Sequence, residues 1–146
     1  MALLKLSALD ASDLEVLSLH LQDAIVRVGD MRYLPKQQRF VIVVNRFSWE
    51  NVTAKGRHER RRTALHFEQV RSVKSQRLRQ DDPKAVAAIL AITFETANDP
   101  AGSIVIALSG GGTLRLDVDY VEGRMKDLGP VWKTPHLPRH DHGDGA

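Results

Sequence analysis

A chain of 146 residues, 42% of them hydrophobic, has the length one domain needs to bury a core without outside help. It contains no cysteine, which excludes a disulfide framework, a thiolate metal site and a cysteine nucleophile, and suits a reducing compartment. The net charge of +3 is unevenly spread: residues 55–79 hold nine basic against two acidic residues, a net +7, so the other 121 residues sum to −4.

The opening MALLKLSALD lacks the apolar core of a signal peptide, and no run approaches the ~20 apolar residues that span a bilayer. The chain reads as soluble, cytoplasmic and away from membranes. LLKLSAL (3–9) alternates apolar and polar residues, the pattern of a half-buried strand. Asp10 or Ser12 then caps a helix expected over about 11–26, with Leu14, Leu17, Leu21, Ala24 and Ile25 on one stripe and Gly29 beyond its end. VGDMRYLPKQQRFVIVVNRF predicts a hairpin turning through Pro35–Gln38, whose second strand, with FVIVV apolar on both faces, is central in its sheet.

KGRHERRR (55–62) reads as an exposed connection into a strand beginning near Thr63, because three consecutive arginines cannot all be buried without partners. On that reading, replacing Arg60, Arg61 and Arg62 together leaves the fold intact. TALHFEQV alternates and slips by one residue before Val70, which suggests a bulge. Strands follow at 87–96, 104–108 and 114–118, the last two joined through SGGG as a hairpin turn that uses glycine for positive φ. A phosphate cradle is the alternative for SGGG, but a strand and not a helix follows it. From Pro130 the apolar rhythm ends. The expectation is one domain over 1–133 and a flexible tail over 134–146. Its class is α+β: a mainly antiparallel, strongly curved sheet or partial barrel of about seven strands, with one amphipathic helix after the first.

No catalytic set can be assembled. His20, His58 and His66 have no nucleophile paired with them in sequence, and Asp117 and Asp119 face outward by strand parity. His136, His140 and His142 with Asp141 and Asp144 are metal-ligand types, but they lie in a tail that offers no scaffold, so no metal site and no cofactor is assigned. The candidate binding residues are Gln22, Asp23, Arg27, Asp30, Arg32, Asn45, Arg46, Trp49 and Glu50, around the helix end and the hairpin after it. Arg46 is in phase with Phe40, Ile42 and Val44, so it points to the apolar face and needs a carboxylate such as Asp23 or Asp30, or an open end through which to snorkel. These residues form either an ion-paired corner or a pocket. The second candidate is a basic patch of Lys55, Arg57, Arg60, Arg61 and Arg62. It can guard a sheet edge, contact phosphates or meet another anionic partner.

LQDAIVRVGD, RYLPK, NRFSWE, GGGTLRLDV and DLGPVW together resemble a family of small bacterial proteins classed as a domain of unknown function, over about residues 3–133. The resemblance implies a stand-alone domain and carries no activity or site residues. The leading expectation is a non-enzymatic binding or accessory domain acting through a partner protein. The alternative is a nucleic-acid-associated protein using residues 55–79. An enzyme with dispersed residues is a third reading.

Overall fold

Lys5–Ala8 forms strand β1, and Asp10 then caps helix α1 (Ala11–Leu21), its carboxylate accepting from the Asp13 N–H at 2.8 Å. The computed structural model describes residues 4–47, 58–79 and 81–134. The helix ends earlier than its apolar stripe suggested. Asp23 takes a left-handed conformation (φ 64°), and Ala24 and Ile25 enter the core as the start of a strand. Leu14, Leu17 and Leu21 are buried, and the helix packs on β1 and on β6 (Val86–Asn98).

Strands β2 (Ile25–Leu34) and β3 (Arg39–Phe47) form the expected hairpin, joined by a turn of 3-10 helix at Pro35–Gln37. β4 (His58–Phe67), β5 (Val70–Gln76), β7 (Ala101–Leu108), β8 (Thr113–Val118) and β9 (Gly123–Thr134) complete a mainly antiparallel sheet of nine strands, ordered β1-β9-β4-β3-β2-β6-β7-β8-β5. Nine strands replace the expected seven because β5 and β9 carry weak alternation. β5 reads VRSVKSQ, and β9 buries Asp127 where an apolar residue would have marked the pattern. The slip before Val70 is a corner between β4 and β5, with Gln69 at φ 61°, and not a bulge. SGGG is the β7–β8 turn, with Gly110 and Gly111 at φ 79° and 85°.

The connections dictate the curvature. β4 and β5 lie six places apart in the strand order, about 29 Å in a flat sheet, yet only Glu68 and Gln69 join them, a reach of about 10 Å. β8 and β9 are also six places apart and are linked by four residues, 119–122. The sheet must curl until these corners meet, and there the Glu68 N–H donates to Glu122 O and the Asp119 N–H to Gln69 O. Inside the curl one apolar cluster runs from the helix leucines through Ile42, Leu65 and Phe67 to Ile104, Ile106 and Leu116. The helix also satisfies part of β6, since Ser18 Oγ accepts from the Ile92 N–H at 2.9 Å.

Candidate functional site

The nine residues proposed from the first half of the sequence do not converge. Ile25 pairs with Asn45, so Gln22 and Asp23 lie at the same end of the hairpin as Asn45 and Arg46. Arg27 is exposed opposite Val86 on β6. Asp30 and Arg32 sit toward the far end, where Arg32 pairs with Val41. Trp49 and Glu50, like Lys55 and Arg57 and the histidines of the tail, lie outside the described residues.

Arg46 points inward, as its phase requires, but its carboxylate is neither Asp23 nor Asp30. It is Asp127, reached at 2.8 Å from Nε and 2.7 Å from Nη2, a two-pronged ion pair with both side chains fully buried. Asp127 also accepts from Thr63 Oγ1 (2.8 Å) and the Leu4 N–H (2.9 Å), and Arg61 Nε stands 3.9 Å away. Burial alone would raise the Asp127 carboxyl, but the hydrogen bonds from Arg46, Leu4 and Thr63 outweigh it and hold the group below the usual carboxylate range. An acid so fully bonded is a fixed anion and not a general base. The pair ties β3 to β9 and, through Leu4, to the N-terminal segment.

The expected exposed connection at HERRR is instead part of β4, and both Arg60 and Arg61 are buried. Consecutive strand residues point to opposite faces, so this end of the sheet is covered on both sides. The three consecutive arginines are not all buried: Arg62 is the exposed one. What fails is the step from there to an exposed connection, because Asp127 supplies charge and Arg46, Arg60 and Arg61 make further interactions besides.

Arg62 has company that no sequence segment announces. Register sets it beside Leu128 on β9, and two residues along, Lys126 lies between Ala64 on β4 and Lys5 on β1. Two further along, Arg124 lies between His66 and Ser7. Lys5, Arg62, Arg124 and Lys126 are all exposed, and none has an ion-pair partner among the described residues. With strands about 4.8 Å apart and same-face residues about 6.7 Å apart, the four fall within a patch of roughly 10 by 14 Å. Its inner edge is aliphatic: Ala64, Val43 and Val41 continue the same rows onto β3. Elsewhere on the sheet several exposed cations are answered, Arg39 by Glu68, Arg71 by Asp119 and Arg115 by Glu95, while Arg27 and Arg32 on β2 stand singly and do not form a patch of this density. Lys5 opposite Lys126 carries like-charge repulsion with no structural return.

The described residues contain no group of three or more side chains able to hold a metal ion, and no helix long and apolar enough to cross a membrane. Sequence reading missed Lys5, Arg124, Lys126 and Asp127. The signal was in GRMKDL, where recognition of a strand would have put Arg124 and Lys126 on one face and Asp127 on the other.

Fold and site together define a curved antiparallel α+β domain with one uncompensated basic face. The chain belongs to a family of proteins of unknown function, DUF2948, whose model matches residues 4–140. No curated protein and no solved structure matches it.

Proposed function

We propose that the domain is a non-enzymatic binding module that acts through a partner protein, docked on the outer face of β1, β9, β4 and β3. One observation carries the reading: four exposed cations, gathered from three strands, lie without counter-ions beside an aliphatic strip. Charge alone would suit a nucleic acid as well. The strip of Ala64, Val41 and Val43 offers apolar area to bury and no aromatic ring on which a base could stack, which favours an acidic protein surface with an apolar centre. The lack of cysteine supports a cytoplasmic setting for that partnership.

The test immobilises the full chain and a Lys5→Glu, Arg62→Glu, Lys126→Glu variant in nuclease-treated extract of the native cell. A protein captured by the first and lost from the second is then purified and its binding reconstituted. Equal capture by both chains removes the face as the interface. Capture that vanishes with nuclease, together with direct binding to RNA or DNA that weakens with salt, replaces this reading with the nucleic-acid one.

A further inference from the structure

The proposed docking face has a counterpart on the same molecule. Leu19, Leu9 and Val16, exposed by 68%, 66% and 47%, are the three most exposed large hydrophobic side chains among the described residues. All three lie on α1 or beside its cap. Helical spacing puts Val16 and Leu19 on the side opposite the buried Leu14, Leu17 and Leu21, with Ser12 and Glu15 next to them. The helix already has its core-facing stripe, so this second one adds nothing to the core.

Acids frame the exposed stripe. Residues 6–26 contain Asp10, Asp13, Glu15 and Asp23 and no lysine or arginine, a segment charge of −4 in a chain of net +3. Asp10 and Asp13 each accept a backbone N–H, from Asp13 and Leu9. Neither they nor Glu15 has an ion-pair partner among the described residues. The outer face of β1, β9, β4 and β3 fits an acidic surface with an apolar centre, and α1 presents one. The dimensions agree as well. Eleven helical residues span about 16 Å, against roughly 14 Å for the long side of the basic patch. The two surfaces cannot meet within one chain: α1 packs on the side of β1 that carries Leu6 and Ala8, and Lys5 belongs to the other side. A second copy has to supply the match. Because the contact joins unlike surfaces it is heterologous, and it adds copies head to tail.

We propose that the partner docked on the basic face is a second copy of this chain, which lays the exposed stripe of α1 along the strip of Val41, Val43 and Ala64. Lys5, Arg62 and Lys126 of one copy face Asp10, Asp13 and Glu15 of the next. The inference rests on the binding-module reading and gives its partner. One helix face covers less than a permanent interface needs, so the association is weak, concentration-dependent and sensitive to salt.

Sedimentation velocity of the full chain tests it, at low salt and at about 1 M salt, where the screening length falls to roughly 3 Å. The mean mass should at least double with protein concentration at low salt and return to that of one copy at high salt. Two variants block opposite sides: Val16→Lys, Leu19→Lys on the helix, and Lys5→Ser, Arg62→Ser, Lys126→Ser on the sheet. Each alone should stay at single-copy mass, with a melting temperature near that of wild type, because all five positions are exposed. Mixed, the two should form a pair and grow no further, since the helix variant keeps its basic face and the sheet variant keeps its stripe. A wild-type chain of constant single-copy mass, association that survives either block, or a mixture that does not pair overturns the inference. Single-copy mass together with capture of another protein that depends on the sheet cations overturns only the second copy as partner and leaves the binding-module reading standing.

Discussion

Arg61 and Arg62 are neighbours in sequence and opposites in circumstance. Arg61 is buried with Asp127 3.9 Å from its Nε, while Arg62 is exposed on a face with no acid to meet it. The same division holds one strand away, where Lys126 points out and Asp127 in. Two faces of the same two strands, β4 and β9, thus carry charge under different rules. On the inner face Arg46 and Asp127 are each fixed by several bonds, because desolvation would otherwise cost several kcal/mol. On the outer face, beyond the covered end where Arg60 is buried, water solvates Lys5, Arg62, Arg124 and Lys126 and the fold asks nothing of them, so their gathering needs an explanation outside stability.

The comparison breaks most sharply at Asp127. Replacing it with asparagine leaves the Arg46 guanidinium buried without its counter-charge, and urea denaturation at neutral pH should show a loss of about 3–5 kcal/mol. The effect has a pH signature. The folded carboxyl lies below its ordinary value of 3.8, so its contribution is complete above that value and is lost as pH falls through the folded pKa. The gap between wild type and Asp127→Asn should therefore be constant near neutrality and narrow in acid. A gap that widens in acid would mean that Asp127 is held protonated.

Next in size is the arginine pair itself. Arg61→Ser should cost about 3 kcal/mol through the lost ion pair and the space left behind, while Arg62→Ser should fall within ~0.5 kcal/mol of wild type. Similar melting temperatures for the two variants would erase the distinction between the faces. Gly123→Ala probes the inner face without charge. A Cβ there would stand 2.6 Å from Phe67 Cε1 across the β9–β4 pair, and overpacking of this kind costs about 1–3 kcal/mol in the same denaturation series. The smallest effect belongs to the basic face. Lys5→Ser, Arg62→Ser, Lys126→Ser should leave stability within ~0.5 kcal/mol or raise it slightly, by removing the Lys5–Lys126 repulsion, while partner binding is lost. A large drop in stability would show that the face is structural.

Much of the architecture was legible in local patterns. The α+β class, the helix after the first strand, the Pro35–Gln38 hairpin turn, the glycine turn at 109–112 and the inward phase of Arg46 follow from periodicity, caps and turn chemistry. Those signals act over a few residues, and a strand with one apolar face reports its own orientation. What the sequence could not state was which strands lie side by side. β9 hides its identity because its buried positions include an aspartate. Only the placement of β9 between β1 and β4 puts Asp127 against Arg46, 81 positions away, and Lys126 against Lys5. The sequence determined that Arg46 had to find a carboxylate. Tertiary structure alone decided which one, and turned a run of arginines into two buried groups and one member of a surface patch, because burial depends on what neighbouring strands and chain segments bring and not on the residues next in line.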